Sequence, residues 1–513
     1  MKTGFRVSCY ELLYPFPHRP EFFAAVNGLY GAYDVITAEE AGILEKAREK
    51  PSMLAALAPE TRNRLSHRGH LVSESPEEER ENVRIMSRIY WLMAYQGSTD
   101  LVILPTYNCN FRCEYCFERA RLEKGSSWLS RTMTSGMADA IFRQMEAYQK
   151  RGIRLKRCFL YGGEPLLQTN REIVSEIIGQ AERLGMKLAC VTNGYELDHF
   201  IDLLKDHSFS FLQITVDGVG ETHDARRYLA GGQGTYERIM DNISLALHNG
   251  ISVHLRINVN RSNLESAMHL PEAFRERGFM DQPGFYYYFK ATTACFEDDP
   301  ANAITEQELF RMLCDSGIVT PEDVSHSRVY YDMASRVMRA LKKETYPPLS
   351  PAHCGAESNM LVVDPEGVIY ACWDLVSMEE HAIGFTDEAS GRFLFNFDFS
   401  KWRTRTVDNM QECAVCPYLM VCGGGCATES LYGYGDMRKG TCGSVREAFD
   451  YAASRICEKR FGHDGERIQS LSLYDLFDGL SPEERQTLSE TIDTEVCKRI
   501  LRSRLKASDH YFG

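Results

Sequence analysis

The sequence predicts an α/β protein built from several units, and three observations lead there. From residue 98 to about 300, strand-like and helix-like segments alternate, the pattern of a parallel sheet covered by helices. Ahead of that run, residues 1–95 read as two helices followed by a short strand. Behind it, residues 350–445 hold seven cysteines and few long periodic segments, and a core so poor in regular structure is marginal unless metal staples it. A chain of 513 residues also exceeds one ordinary domain.

Taken in order, the elements justify that outline. Thr37 followed by Glu40 forms a capping box ahead of Ile43 and Leu44. Pro59 opens a second helix that should stop near Gly69, with Leu71 and Val72 as the strand. Helix, helix, short strand is a winged-helix-like pattern, although a plain helical packing module reads the same way. A polar helix over 76–96 should join it to the next unit, 96–305. There, strands are expected at 101–105, 157–161, 187–192, 211–216, 251–259 and 284–289, with helices such as 171–184 and 236–249 between them. Residues 306–349 read as a helical bridge and 446–513 as C-terminal helices. Ser481, Pro482 and Glu484 together start one of these, expected to run through Ile500 and Leu501.

Composition narrows the function classes. With 44% hydrophobic and 25% charged residues the chain reads as soluble and globular. No apolar run reaches membrane-span length and the first residues lack a signal-peptide core, so the expected compartment is the cytoplasm, without a membrane partner. A net charge of −14 argues against sequence-independent nucleic-acid binding. Seventeen cysteines in such a chain point to metal rather than disulfides.

The sharpest signal is Cys109-x3-Cys113-x2-Cys116, just after the 101–105 strand. Three thiolates can hold three irons of a 4Fe–4S cube and leave the fourth open, whereas a structural zinc ion wants a fourth ligand. The spacing, with Tyr115 before the last cysteine, resembles the radical S-adenosylmethionine (SAM) enzymes. That resemblance implies a partial (β/α)6 barrel and a SAM molecule bound to the open iron through its amine and carboxylate. One electron then cleaves the sulfonium, and the 5′-deoxyadenosyl radical takes a hydrogen atom from the substrate. Gly162, Gly163, Glu164 and Pro165 end the second strand. Paired glycines permit close backbone approach and a carboxylate can accept from an ammonium group. The resemblance makes this element the holder of the methionyl amine. It also implies SAM contacts from Tyr115, from Thr215 in the Thr-Val-Asp-Gly of 215–218, and from Arg227 near the SAM carboxylate. For Arg227 a solvated salt-bridge partner is the bland alternative. Asn193 and Arg256 are further candidates.

Cys354, Cys372, Cys413-x2-Cys416-x5-Cys422-x3-Cys426 and Cys442 resemble the SPASM domain. The resemblance implies two auxiliary 4Fe–4S clusters, making three in all. One would sit on Cys413, Cys416, Cys422 and Cys442, the other on Cys354, Cys372 and Cys426. Sulfatase-maturating members carry an extra cysteine between the first two of that second set. Here residues 355–371 contain none, so the cluster either keeps an open iron or is completed by a residue such as Cys295. Asp374 could act as a base near the substrate or simply face solvent. Cys9, Cys158, Cys190, Cys295, Cys314, Cys457 and Cys497 lack ligand spacing, and buried apolar thiols explain most of them.

The resemblance therefore implies a peptide maturase that abstracts hydrogen from a ribosomally made precursor and installs a crosslink, first of all a Cys thioether. A carbon–carbon crosslinking cyclase and a formylglycine-generating sulfatase maturase are the enzymatic alternatives. A zinc-stapled binding protein or electron carrier is the non-enzymatic one, disfavoured by the Gly162–Pro165 element. Implied partners are the precursor peptide, its leader gripped by residues 1–95, and a flavodoxin- or ferredoxin-type electron donor.

Overall fold

The computed structural model describes residues 4–94, 98–116, 118, 124–292, 300–342, 346–464, 471–491 and 494–504. The chain forms two compact units. One, here the sheet unit, comprises Gly97–Arg328 and Gly355–Arg403; the other, the terminal unit, comprises Met1–Gln96, Val329–Cys354 and Thr404–Gly513. The cysteine-rich stretch 350–445 is therefore shared between them.

In the sheet unit six parallel strands lie side by side in chain order: Ser98–Ile103, Arg154–Leu160, Lys187–Thr192, Phe209–Thr215, Val253–Val259 and Phe285–Ala291, hereafter the first to sixth strands. Parallel neighbours need crossovers, and the helices Ser135–Lys150, Arg171–Arg183, Ile201–Lys205, Tyr236–His248 and Leu264–Glu276 supply them. Their starts follow local rules; Thr134, for example, accepts from the Met137 N–H at 3.1 Å as N-cap. Burial differs along the sheet, complete in the first strand and alternating through most of the fifth. All six residues of the first strand are buried, and Val253, Leu255, Ile257 and Val259 of the fifth are fully so. Cys158 and Cys190 sit in this core as ordinary buried thiols.

The sheet does not end at its first strand. Met360–Val363 adds alongside it in parallel, and Val368–Tyr370, Gly384–Asp387 and Arg392–Phe395 continue antiparallel, giving ten strands. Strands of three or four residues carry too little periodicity to stand out, which is why 350–445 reads as loop from sequence. The turn between the first two is set by Asp364, whose Oδ1 accepts from the Glu366 and Val368 N–H groups at 3.0 and 2.9 Å.

In the terminal unit, Glu11–Pro15, Phe22–Asn27 and Tyr33–Thr37 form a three-stranded antiparallel sheet, which the sequence reading leaves unassigned. Thr37 then caps Ala38–Glu49 through the expected box, with Glu40 Oε2 accepting from the Thr37 N–H at 2.8 Å. Pro59–His67 follows, and Leu71–Val72 pairs antiparallel with Arg6–Val7. Val7, Ala25, Ile36, Leu44, Leu54, Leu65 and Leu71 bury together between these pieces. Truncating one such leucine to alanine costs about 2–5 kcal/mol. Ser481 and Glu484 form the predicted capping box of Pro482–Glu490. That helix is shorter than expected: β-branched Thr491 adopts φ −74°, ψ 138°, and Ile500 and Leu501 belong to a separate helix, Thr494–Arg504. No helix among the described residues is long and apolar enough to cross a membrane.

Candidate active site

The residues singled out in the sheet unit come together at the C-terminal ends of the parallel strands, where such sheets gather chemistry. Cys109, Cys113 and Cys116 follow the first strand in an irregular loop and are each partly buried. The Phe111 N–H donates to Cys109 Sγ at 3.4 Å, and the Cys116 N–H to the Cys113 carbonyl at 3.3 Å. Burial, with Glu164, Cys113 and Cys116 nearby, pushes the Cys109 thiol well up from its ordinary value. Such crowding is relieved when thiols give up protons to a metal.

The Gly162-Gly163 pair has a physical reason that the sequence alone does not show. Gly162 sits at φ +122°, and a Cβ at Gly163 would lie 2.3 Å from the Asn108 carbonyl oxygen and 2.4 Å from that of Tyr107. The glycines let this turn press against the cysteine loop itself, and the Glu164 N–H donates to the Asn108 carbonyl at 2.7 Å. Glu164 is thereby carried to the thiols. Its carboxylate accepts from Thr192 Oγ1 and the Asn193 N–H, both at 2.6 Å, and from the Leu166 N–H at 2.9 Å. Burial pushes its pKa up to about 7 against the pull of those three donors. A carboxylate offers about four acceptor sites, so capacity for one more donor remains. Asn170 Nδ2 clamps the turn through the Pro165 carbonyl at 3.3 Å. The Asn193 side chain is tied to Asn110 Oδ1 at 2.7 Å.

Tyr115 is locked rather than free. Its hydroxyl donates to the Asp217 carboxylate and accepts from Arg227 Nη1 at 2.7 Å and Asn258 Nδ2 at 3.2 Å. Asp217 also accepts from the Asn258 N–H at 3.0 Å and donates its own N–H to His223 Nδ1 at 3.2 Å. With Nδ1 accepting, Nε2 carries the proton and donates to Thr235 Oγ1 at 3.1 Å. Burial, with Arg227 and Arg226 beside it, holds His223 neutral. Arg227 is therefore a buried member of a network, not a solvated ion-pair partner. Its Nε has no hydrogen-bond partner among the described residues. Thr215 is buried at the end of the fourth strand, in register with Arg256, whose Nε donates to Asn258 Oδ1 at 2.7 Å.

Sequence reasoning missed Asp217, His223, Asn258 and Arg226. Asp217 lies inside the Thr-Val-Asp-Gly element that drew attention to Thr215, and His223 and Arg226 inside the run that drew attention to Arg227. It also missed that residues 226–230 run beside the cysteine loop. The Arg112 N–H donates to the Tyr228 carbonyl at 2.9 Å and the Ala230 N–H to that of Asn110 at 2.8 Å.

Cys372 and Asp374 belong to the same unit; the Cys372 thiol donates to Asp374 Oδ2 at 3.8 Å. Between them Trp373 stacks on Tyr161, centroids 5.4 Å apart and rings 22° from parallel, one residue before Gly162. Cys354 and Cys426 belong to the terminal unit, and Cys295 lies outside the described residues.

The terminal unit holds a second thiol centre. Cys413, Cys416, Cys422 and Cys442 line one pocket with Gly424, Gly440 and Arg446. Burial, then Cys422, Cys416 and Cys442, push the Cys413 thiol up to about 11. Gly423, Gly424 and Gly425 take φ +69°, +88° and +74°, a left-handed run that favours glycine. A Cβ at Gly425 would lie 2.1 Å from the Thr441 carbonyl oxygen. Arg405, almost wholly buried, donates to the carbonyls of Gly425 at 3.0 Å and Gly424 at 3.3 Å. Arg446 Nη2 lies 3.2 Å from Cys416 Sγ. Neither arginine was legible as part of the site from sequence. Among the described residues no three His, Cys, Asp or Glu side chains converge on a single ion position; a cube asks for something else, one thiolate for each iron.

Comparison with known proteins follows this geometry. The model of the radical SAM superfamily matches residues 103–270, the span that carries the cysteine loop, Glu164, Thr215 and Arg227. This chain carries a radical SAM domain. Such a domain implies a 4Fe–4S cluster and SAM. An S-adenosylmethionine-dependent nucleotide dehydratase of Psychrobacter lutiphocae is 35% identical over 121 residues, 22% of this chain and 39% of the dehydratase. The chain thus spans about two fifths of that relative's length. A cysteine-type anaerobic sulfatase-maturating enzyme of Clostridium novyi is 22% identical over 356 residues, 64% of this chain and 88% of the enzyme. The solved structure of native anSMEcpe with bound AdoMet shares the fold, with a TM-score of 0.53 at 15% identity, covering 71% of this chain and 98% of that one.

Proposed function

We propose that this protein is a radical SAM peptide maturase, which takes a hydrogen atom from a ribosomally made precursor and installs a crosslink, in the first place a Cys thioether. The observation that carries the radical SAM part is the convergence of three thiols, a buried carboxylate and a buried guanidinium at one sheet end. The donor set fits the implied groups: soft thiols for iron, Glu164 with an acceptor site to spare, and Arg227 with an unpartnered Nε.

Cys109, Cys113 and Cys116 would hold the cluster. Cys413, Cys416, Cys422 and Cys442 would hold one auxiliary cluster, and Cys354, Cys372 and Cys426 another. The groups, when bound, would supply one-electron cleavage of a carbon–sulfur bond and hydrogen-atom abstraction. The chain's own part is positioning. Glu164 accepts from the SAM ammonium, and that positive charge draws the carboxyl back toward its ionised form. Arg227, braced by Tyr115, takes the SAM carboxylate. Thr215 lines the same strand end, and Asp374, which accepts from the Cys372 thiol, would serve as the base near the substrate.

Two features favour the thioether product: the additional N-terminal residues 1–95, read as a leader-gripping module, and the absence of a cysteine between Cys354 and Cys372. A formylglycine-generating maturase is the second reading, favoured by the coverage of the Clostridium novyi enzyme. The test is anaerobic reconstitution with iron, sulfide, SAM and dithionite, then incubation with Cys-containing peptides. Formation of 5′-deoxyadenosine with a peptide that has lost two hydrogens supports the proposal. An aldehyde in place of the thiol selects the second reading, and no 5′-deoxyadenosine at all removes both. Electrons in the cell would come from a flavodoxin- or ferredoxin-type donor.

A further inference from the structure

Two consecutive buried arginines lie beside the cysteine loop, and their charges are answered differently. Arg227 is 9% exposed and reaches Asp217 through the Tyr115 hydroxyl. Arg226 is 7% exposed and, among the described residues, forms no ion pair. Its Nη1 donates to two neutral acceptors, Asn260 Oδ1 and Ser262 Oγ, both at 3.1 Å. Its Nε and Nη2 are buried without a partner. The guanidinium carbon lies 5.0 Å from the centroid of the Tyr115 ring, and its backbone carbonyl accepts from the Glu114 N–H at 3.4 Å. The charge is thus fixed next to the Cys113–Cys116 segment.

An unpaired buried cation is costly, and a fold keeps one where something negative arrives later. Three thiolates and an iron–sulfur cube are such an object. We infer that Arg226 is a positioning residue for charge: it stabilises the cluster held by Cys109, Cys113 and Cys116 in its reduced form, making electron uptake easier. Reduction adds one electron and so one negative charge, which a fixed neighbouring cation favours most where water is excluded. The inference rests on the proposed cluster assignment, and it concerns Arg226 rather than the SAM-facing Arg227.

The experiment is a dithionite redox titration of the reconstituted holoenzyme, following the paramagnetic signal that changes when SAM is added. In R226Q the reduced-to-oxidised ratio at a fixed poise should fall about tenfold, equivalent to about 59 mV for one electron. R226K keeps the charge and should keep the potential. N260D sets a carboxylate against the guanidinium, where the amide oxygen now lies at 3.1 Å, and should lower the potential as R226Q does, providing the reading if R226Q does not fold. Unchanged potentials in R226Q and N260D overturn the inference, as does an equal fall in R226K and R226Q, since charge would not be the cause. A wild-type protein with no SAM-responsive signal overturns the cluster assignment instead.

Discussion

The two thiol centres are built on opposite plans. At the sheet end, three cysteines sit among polar side chains drawn from several strand ends: Glu164, Thr192, Asn193, Asp217, Arg227 and Asn258. In the terminal unit, four cysteines share a pocket framed by backbone carbonyls and left-handed glycines, with arginines as the charged neighbours. An incomplete ligand set surrounded by donors and acceptors is built to receive something. A complete set surrounded by backbone is built to hold.

That contrast can be broken. The largest effect should come from C113A, which removes one of the three thiols proposed to hold the SAM-binding cluster: SAM-dependent signals and 5′-deoxyadenosine vanish while the colour of the proposed auxiliary clusters stays. Continued SAM cleavage would refute the division of roles. Next, R405A leaves the carbonyls of Gly424 and Gly425 without their buried donor, at about 1–3 kcal/mol for each unsatisfied group. Loss of thermal stability and of the Cys413-centre iron, with SAM cleavage by the other centre retained, is expected; normal iron content would show that the pocket does not need it.

A comparable effect belongs to the terminal unit alone and is read by pH. His70 is fully buried, 2.8 Å from Glu11 and 2.9 Å from Asp34. Burial pulls its pKa down, but the two carboxylates outweigh this and lift it to about 9. Its charged form therefore stabilises the unit fully below the unfolded value of 6.5, and the gain is lost as pH rises through about 9. The loss should be up to about 3 kcal/mol. Thermal unfolding should show this slope in the wild type and not in H70Q; equal slopes would place its origin elsewhere. The smallest effect is Y115F, which removes the hydroxyl that braces Arg227 and should weaken SAM binding about tenfold, one charge-assisted hydrogen bond. Unchanged affinity would mean Arg227 holds its place without it.

Much of this was legible in the chain. The Cys109-x3-Cys113-x2-Cys116 spacing is local and could be read directly, whereas the grouping of the seven later cysteines came from a resemblance rather than from spacing. The six parallel strands announced themselves through apolar residues, in a run at Leu101–Ile103 and at alternate positions in Val253–Val259, and the capping boxes at Thr37 and Ser481 followed from side chains three residues apart. The sheet of residues 11–37 was not legible, since its strands lie ahead of any strong helical signal to frame them. The four short strands of 360–395 were too brief to show a period.

What the sequence determined by itself, then, was the Cys109-x3-Cys113-x2-Cys116 loop and the class of fold that carries it, because short-range spacing and apolar periodicity are both written along the chain. Only the tertiary structure decided that Gly163 makes room for the Asn108 carbonyl, that Tyr115 is bound to Asp217, and that Arg226 lies buried over the Tyr115 ring with no ion pair among the described residues. Each of these depends on segments from different strand ends meeting in a water-excluded space. No spacing in one segment records what another will bring to it.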